Sequence, residues 1–159
     1  MLLHRRPGLI LAVTLGGALG AGMRLALGDV LTLWFGGAAL ATVVVNLLGA
    51  FGLGVLLQAL VQVGQEGPGR RLMRLVLGTG FFGGFTTYSG FALDTITLLG
   101  WSPSLAVSSA SGFGSAAPLV AAGLYLAVSL VGGLVLAFVG VWLGAKVGRQ
   151  MVQSREGRP

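Results

Sequence analysis

The fold depends on one stretch, Gly78-Thr-Gly-Phe-Phe-Gly-Gly-Phe-Thr-Thr-Tyr-Ser-Gly-Phe91, which lies in the middle of a long apolar segment. A membrane helix is expected there, but its five glycines each cost about 1 kcal/mol relative to alanine in a helix interior. The hydroxyls of Thr86, Thr87 and Ser89 can also bond to the backbone and open a helix. The stretch therefore predicts one of two things: a glycine-rich face for close helix packing, or an ion or substrate site made of unwound backbone.

The composition indicates a single membrane domain over residues 1–159. The chain is 55% hydrophobic and 9% charged, with a mean hydropathy of +0.92, and so few charges cannot cover a soluble domain of this size. Cysteine is absent, and the one histidine, His4, lies at the terminus. These counts exclude thiolate and multi-histidine metal sites and leave no nucleophile–base pair, so we expect no enzyme activity.

Four apolar segments are long enough to cross a hydrocarbon core of ~30 Å. We predict an all-α membrane protein with spans at 8–27, 35–63, 72–99 and 119–146, the third broken near 83–87. The first is expected to be a span and not a cleavable signal peptide, because its apolar run continues to Arg24 without a polar cleavage region. Asp29 is expected in the short connection between the first two spans. Residues 101–118 are expected to form a long uncharged connection between the third and fourth spans. The tail from Gly148 is expected to fray.

The charges predict one orientation. With four spans, both termini lie on the same side as the link around 65–71, and that side carries nine of the ten basic residues. They are Arg5, Arg6, Arg70, Arg71, Arg74, Lys146, Arg149, Arg155 and Arg158. Since basic loops stay in the cytoplasm, we predict a multi-pass protein of the bacterial inner membrane with both termini cytoplasmic. The same placement favours contact with membrane lipid over nucleic acid.

Few polar groups lie at membrane depth, and each needs a partner or a role. Asn46 is either an interhelical hydrogen-bond donor or an amide aimed into a pore. Arg24 either snorkels to the interface or places a positive charge in a vestibule. Asp94 either forms a structural ion pair with Arg24 or Arg74, which we favour, or lies near the interface. The scarcity of acids argues against a proton-coupled carrier.

Four motifs, in order along the chain, resemble the Fluc (CrcB-like) fluoride channels. They are Gly16-Gly-Ala-Leu-Gly-Ala-Gly-Met-Arg24, Ala41-Thr-Val-Val-Val-Asn-Leu-Leu-Gly-Ala-Phe-Gly-Leu-Gly54, Gly80-Phe-Phe-Gly-Gly-Phe-Thr-Thr-Tyr-Ser-Gly-Phe91 and Tyr125-Leu-Ala-Val-Ser129. The resemblance covers all four spans, and the third motif is the most specific. It implies an antiparallel dimer of four-helix subunits with two fluoride pores and a structural sodium ion at the centre of the interface. No organic cofactor is implied.

The resemblance also implies residue roles. The implied fluoride pore consists of Asn46, Tyr88, Phe91, Tyr125 and Ser129. Arg24 corresponds to the vestibule arginine, the backbone carbonyls of Gly83 and Thr86 to sodium ligands, and Gly84 and Thr87 to the helix break. Amide and hydroxyl donors and aromatic ring edges suit a small, strongly hydrated anion.

The chain departs from the family pattern in three ways. Tyr88 stands where phenylalanine is usual, Gly90 stands where threonine is usual, and Gly133 shortens the polar face begun by Tyr125 and Ser129. In addition, nine basic residues lie on the predicted cytoplasmic side and one on the other, and this difference should insert the chain in almost only one orientation. An antiparallel homodimer needs the same chain inserted in both orientations. We therefore expect a heterodimer with an oppositely oriented homologue, with the homodimer as the alternative.

The sequence thus predicts a subunit of a passive, selective fluoride channel that exports cytoplasmic fluoride. Two alternatives stay open. A small four-helix ion-coupled transporter would need an exchangeable intramembrane acid, for which only Asp94 is available. A non-transporting membrane assembly protein would depend on the glycine faces alone.

Overall fold

The computed structural model describes residues 7–64, 67–100 and 116–156, and every regular element in these ranges is helical. The expected fold class is confirmed at this level: an all-helical protein of the membrane type. The predicted connection at 101–118 lies outside the described residues except for its last three, which begin the final helix.

The first two helices are long and meet at a glycine turn. α1 spans Pro7–Phe35 and α2 spans Ala38–Gln62. Gly36 has φ +70°, a left-handed conformation that glycine adopts without steric cost. Asp29 lies inside α1 and not in the connection where the sequence placed it, because an exposed carboxylate near a helix end needs no break in the backbone.

The third segment consists of four short elements. α3 (Pro68–Met73) begins with proline in its first turn, where no backbone N–H is needed. A π-helix (Arg74–Phe82) follows without interruption, and then α4 (Gly83–Phe85) and α5 (Tyr88–Leu98). Only Thr86 and Thr87 separate α4 from α5.

The last helix, α6, spans Ala116–Glu156. The expectation of a frayed tail from Gly148 is wrong for residues up to Glu156, which remain helical. Packing fixes the start of this stretch: a Cβ at Gly148 would lie 3.0 Å from the Ala59 carbonyl and would clash with the Gln62 side chain, so α6 lies on the last turn of α2 at Gly148.

Small residues allow two close helix contacts. α2 packs along α6, where a Cβ at Gly54 would lie 2.6 Å from the Ala137 carbonyl and one at Gly140 would collide with the Phe51 carbonyl. α1 packs on the π-helix and α4, where a Cβ at Gly20 would collide with the Phe81 carbonyl. Such backbone approach is how helices associate in lipid, where no hydrophobic force draws them together.

Within the part of the chain that the structure describes, three helices are long and apolar enough to cross a membrane: Pro7–Phe35, Ala38–Gln62 and Ala117–Ser154. Large apolar side chains cover the outside, as shown by Leu33 at 85% and Leu19 at 70% exposure. A surface of this kind suits lipid as the solvent, so the chain is a membrane protein. The third predicted span, 72–99, is not one uninterrupted helix but the series of short elements from α3 to α5.

Candidate functional site

The candidate site is built around the non-helical link between α4 and α5. Thr86 (φ −80°, ψ 157°) and Thr87 (φ −141°, ψ 119°) are both extended. Thr87 then caps α5, since its Oγ1 accepts from the Gly90 N–H at 3.0 Å. The Thr86 hydroxyl donates backwards to the Phe82 carbonyl at 2.9 Å. Two of the three hydroxyls predicted to open the helix, those of Thr86 and Thr87, therefore bond to backbone on either side of the link.

Asn46, from the middle of α2, holds this link by two hydrogen bonds. Its Oδ1 accepts from the Thr87 N–H at 2.8 Å, and its Nδ2 donates to the Thr87 carbonyl at 3.0 Å. An amide satisfies both backbone groups because it carries an acceptor and a donor on the same plane. The second N–H of Nδ2 remains as a further donor. The interhelical bond considered for Asn46 is thus present, with a backbone segment as its target.

Arg24 of α1 contacts the other side of the link. Its Nε donates to the Gly84 carbonyl at 3.3 Å. The same side chain lines a cavity of about 200 Å³, together with Asp29, Thr42, Thr87 and Gly90. Arg24 therefore bonds to the backbone of α4.

These bonds redirect the N–H groups that would continue the helix. In an α-helix the N–H of residue i bonds to the carbonyl of residue i−4. The N–H groups of Thr87 and Gly90 would thus bond to the carbonyls of Gly83 and Thr86, but they bond to Asn46 Oδ1 and Thr87 Oγ1 instead. The carbonyls of Gly83 and Thr86 consequently lose their regular helical donors, which makes them available to another electropositive group.

Aromatic rings form a row from α5 to α6. The ring centroids of Tyr88 and Phe91 lie 6.1 Å apart, and those of Phe91 and Tyr125 lie 5.5 Å apart in a stacked arrangement. Tyr125 is 7% exposed, whereas Tyr88 is 82% exposed in this subunit. Three of the predicted pore residues are therefore neighbours, with one end of the row buried and the other open.

Tyr125 also has a partner that sequence reasoning missed. Its hydroxyl donates to Asp94 Oδ2 at 3.2 Å. The predicted partner of Asp94 was an arginine, and the observed one is this phenol. The two residues are far apart in sequence and come from different elements, so only the placement of α5 against α6 reveals the pair.

Ser129 lies one turn beyond Tyr125 on α6, as the i, i+4 spacing requires. Within the described residues, its Oγ is the one buried side-chain oxygen or nitrogen without a hydrogen-bond partner. Burying an unsatisfied hydroxyl costs about 1–3 kcal/mol. Its presence at the end of the aromatic row marks a place where a hydrogen-bonding species could be accommodated.

The chain is similar to known proteins of one family. The model of the CrcB-like protein family, Camphor Resistance (CrcB), matches residues 11–141. The chain is 37% identical to fluoride-specific ion channel FluC 2 of Bacillus subtilis (strain 168), over 92% of this chain and 93% of the relative. It is 39% identical to fluoride-specific ion channel FluC 2 of Leifsonia xyli subsp. xyli (strain CTCB07), over 92% of this chain and 88% of the relative. A fluoride-specific ion channel FluC of Chloroflexus aurantiacus (strain ATCC 29366 / DSM 635 / J-10-fl) is 35% identical over 85% of this chain and 94% of the relative.

Proposed function

Because this chain belongs to the CrcB-like family, as its motifs predicted, we propose that it is a subunit of a passive, selective fluoride channel. Its relatives are named fluoride-specific ion channels, and channels are not an enzyme class. With the cell interior negative, export of a single anion is favoured by ~2.3 kcal/mol per 100 mV. No coupling ion or nucleotide is then needed to expel fluoride from the cytoplasm.

We propose that the elements from α3 to α5 together form the third span, which is broken, in addition to the three long helices. Irregular backbone at membrane depth requires protein or a cavity around it, because lipid offers no hydrogen bonds. The bonds from Asn46 to Thr87 and from Arg24 to Gly84 supply that support. This set of bonds is the observation on which the proposal mainly depends, because it holds the non-helical link at Thr86 and Thr87 in one conformation.

A structural sodium ion fits the donor set at the break. The carbonyls of Gly83 and Thr86 are hard oxygen donors deprived of their helical partners, which is how unwound backbone binds sodium in membrane proteins. In an antiparallel dimer the partner subunit would supply the same two carbonyls. The ion would neutralise the carbonyl dipoles and hold the two breaks together.

Fluoride would pass along the neighbouring donors. The second N–H of Asn46, the ring edges of Tyr88 and Phe91 and the hydroxyls of Tyr125 and Ser129 form the proposed path. Ring edges carry positive quadrupole density, and the unpartnered Ser129 hydroxyl offers a conventional donor. The cavity beside Arg24 serves as the vestibule, where a fixed positive charge raises the local anion concentration.

The pore requires a second subunit of opposite orientation. Nine of the ten basic residues belong to the side proposed to be cytoplasmic, and this bias opposes insertion in both directions. We therefore favour a heterodimer with an oppositely oriented homologue in the bacterial inner membrane, both termini of this chain being cytoplasmic. Reporter fusions at the C-terminus test this: substantial populations facing both compartments would favour a homodimer.

Fluoride efflux from liposomes tests the function itself. Full-length protein, with and without a candidate homologous partner, is reconstituted with internal fluoride, and release is followed with a fluoride electrode. We expect release that needs no proton gradient and is accompanied by no stoichiometric proton movement. Coupled proton flux would support a transporter acting through Asp94, and no fluoride release under any pairing would support an assembly protein.

A further inference from the structure

A second cavity lies at the C-terminal end of α2, roughly three to four turns beyond Asn46. Its volume is about 390 Å³, within the range of about 300–1,000 Å³ typical of small-molecule sites. Residues of α2 and the third segment line it: Leu57, Leu60, Val61, Gly64, Arg70 and Arg74. It shares no residue with the cavity beside Arg24.

One wall of the cavity is an apolar face of α2. Leu57, Leu60 and Val61 follow the i, i+3, i+4 spacing of one helix face. The neighbouring face of α2 packs on α6, because Cβ atoms at Gly144 and Gly148 would lie 3.1 Å from Gln58 and 3.0 Å from the Ala59 carbonyl. Val61 is 67% exposed, so this apolar wall is uncovered in the subunit.

The opposite wall is cationic. Arg70 donates from Nη1 to the Gly64 carbonyl at 2.7 Å, which fixes its guanidinium across the turn between α2 and α3. A guanidinium has five N–H donors, so the others remain for a ligand. Arg74, the first residue of the π-helix, lies beside it. Between Gln65 and Arg74 the sequence has three arginines and one acid, Glu66, so the net charge at this turn is positive.

We propose that this cavity binds the phosphate headgroup of an anionic glycerophospholipid, with one acyl chain lying along the α2 wall. Cations beside an exposed apolar helix face match a molecule that carries a phosphate at one end and hydrocarbon at the other. Basic pockets between membrane helices on the cytoplasmic side bind such headgroups. An inorganic phosphate would leave Leu57 and Val61 bare, so a lipid satisfies more of the observed surface.

The bound lipid would connect two elements that also meet at the candidate site. Its phosphate would bridge Arg70 of α3 and Arg74 of the π-helix, and its chain would lie on α2. Asn46 and Thr87 join α2 to the break within the same segment. The lipid would therefore stabilise the third segment at its start. This inference rests on placement in a membrane and is independent of fluoride conduction.

Native mass spectrometry of delipidated full-length protein in neutral detergent tests the proposal. Dioleoyl phosphatidylglycerol and dioleoyl phosphatidylcholine are offered at equal concentration. We expect one phosphatidylglycerol retained per subunit in preference to phosphatidylcholine. The Arg70→Gln/Arg74→Gln variant should weaken retention about 30-fold, since each arginine near an anionic surface contributes about fivefold.

Arg149→Gln, which removes an equal charge from α6 outside the cavity, should retain the lipid like the parent. If the double variant does not elute as folded protein, Leu60→Trp provides the test. The larger side chain occupies the apolar side of the cavity and keeps both arginines, so it should reduce lipid retention without loss of folded protein. Equal retention of both lipids, or unchanged retention in the folded variant, would overturn the proposal. Full competition by millimolar inorganic phosphate, or photo-crosslinks from a lipid probe that avoid Leu57–Val61, would overturn it as well.

Discussion

The side-chain amide of Asn46 pairs with the backbone of Thr87 in both directions, accepting its N–H at 2.8 Å and donating to its carbonyl at 3.0 Å. A side chain on one helix thereby substitutes for the helical bonds of another. The pairing prevents the Thr87 N–H from bonding to the Gly83 carbonyl, as it would in a continuous helix. The conformation of the break is thus controlled by α2.

Asn46→Asp should abolish fluoride flux. A carboxylate keeps the bond from the Thr87 N–H but cannot donate to the Thr87 carbonyl, and it puts a negative charge beside the proposed path. Two like charges about 4 Å apart repel by about 4 kcal/mol at an effective dielectric of 20, so efflux should fall 100-fold or more. Gln58→Glu, the same change about three turns along α2, is the control. Undiminished efflux from Asn46→Asp would remove Asn46 from the pore.

Arg24→Gln should lower flux several-fold at low ionic strength and less at high salt. The variant removes the positive charge from the 200 Å³ cavity, and attraction of this kind is screened when the Debye length falls to ~3 Å at 1 M salt. Efflux rates across a salt series provide the measurement. Arg149→Gln controls for net charge. A variant whose rates keep the salt dependence of the parent would argue against a vestibule role for Arg24.

Gly20→Ala should destabilise the protein, whereas Gly22→Ala should not. Both glycines lie in α1, so each gains similarly in helix propensity on becoming alanine. At Gly20 the new Cβ collides with the Phe81 carbonyl, whereas at Gly22 nothing lies within 4 Å. Overpacking costs about 1–3 kcal/mol. The measurement is the temperature at which half of each variant is lost from its size-exclusion peak after heating. Equal temperatures for Gly20→Ala and Gly22→Ala would mean that α1 does not pack closely on the π-helix.

Ser129→Ala should separate stability from flux. Its hydroxyl is buried without a partner, so removal should leave the free energy of unfolding unchanged or raise it by about 1–3 kcal/mol. Flux should fall about tenfold or more, since a hydrogen bond to an anion is worth about 1.5–3 kcal/mol. Thr97→Val, which removes an exposed hydroxyl bonded to the Leu93 carbonyl, should leave flux unchanged. Normal efflux from Ser129→Ala would place Ser129 outside the path.

Replacement of sodium by N-methylglucamine should lower thermal stability, because an ion that binds only the folded state stabilises it by mass action. Thr86→Val should keep the sodium response, since the proposed ligand is the backbone carbonyl and not the hydroxyl that bonds to Phe82. Asn46→Leu should lose it, because Thr87 N–H then has the Gly83 carbonyl as its nearest helical acceptor. A sodium response that survives Asn46→Leu would contradict this account.

Composition and motifs were sufficient to predict the helical membrane class and the family, because hydropathy and glycine-rich spacing are local properties. They did not predict the π-helix at Arg74–Phe82, since its wider hydrogen-bond register has no signature in single residues. Nor could they pair Tyr125 with Asp94, which depends on how α5 lies against α6. The close contact of Gly148 with Gln62 was missed for a similar reason: its packing partner, α2, is distant in sequence.

The length of α6 has a consequence for the aqueous side of the membrane. Its 41 residues rise about 60 Å, roughly twice the thickness of the hydrocarbon core. Even when tilted, a helix of this length extends beyond the acyl chains, and its C-terminal part carries Lys146, whose Nζ lies 3.7 Å from the centre of the Trp142 ring. A domain attached there would stand off from the lipid on a stiff stalk and would need little added linker.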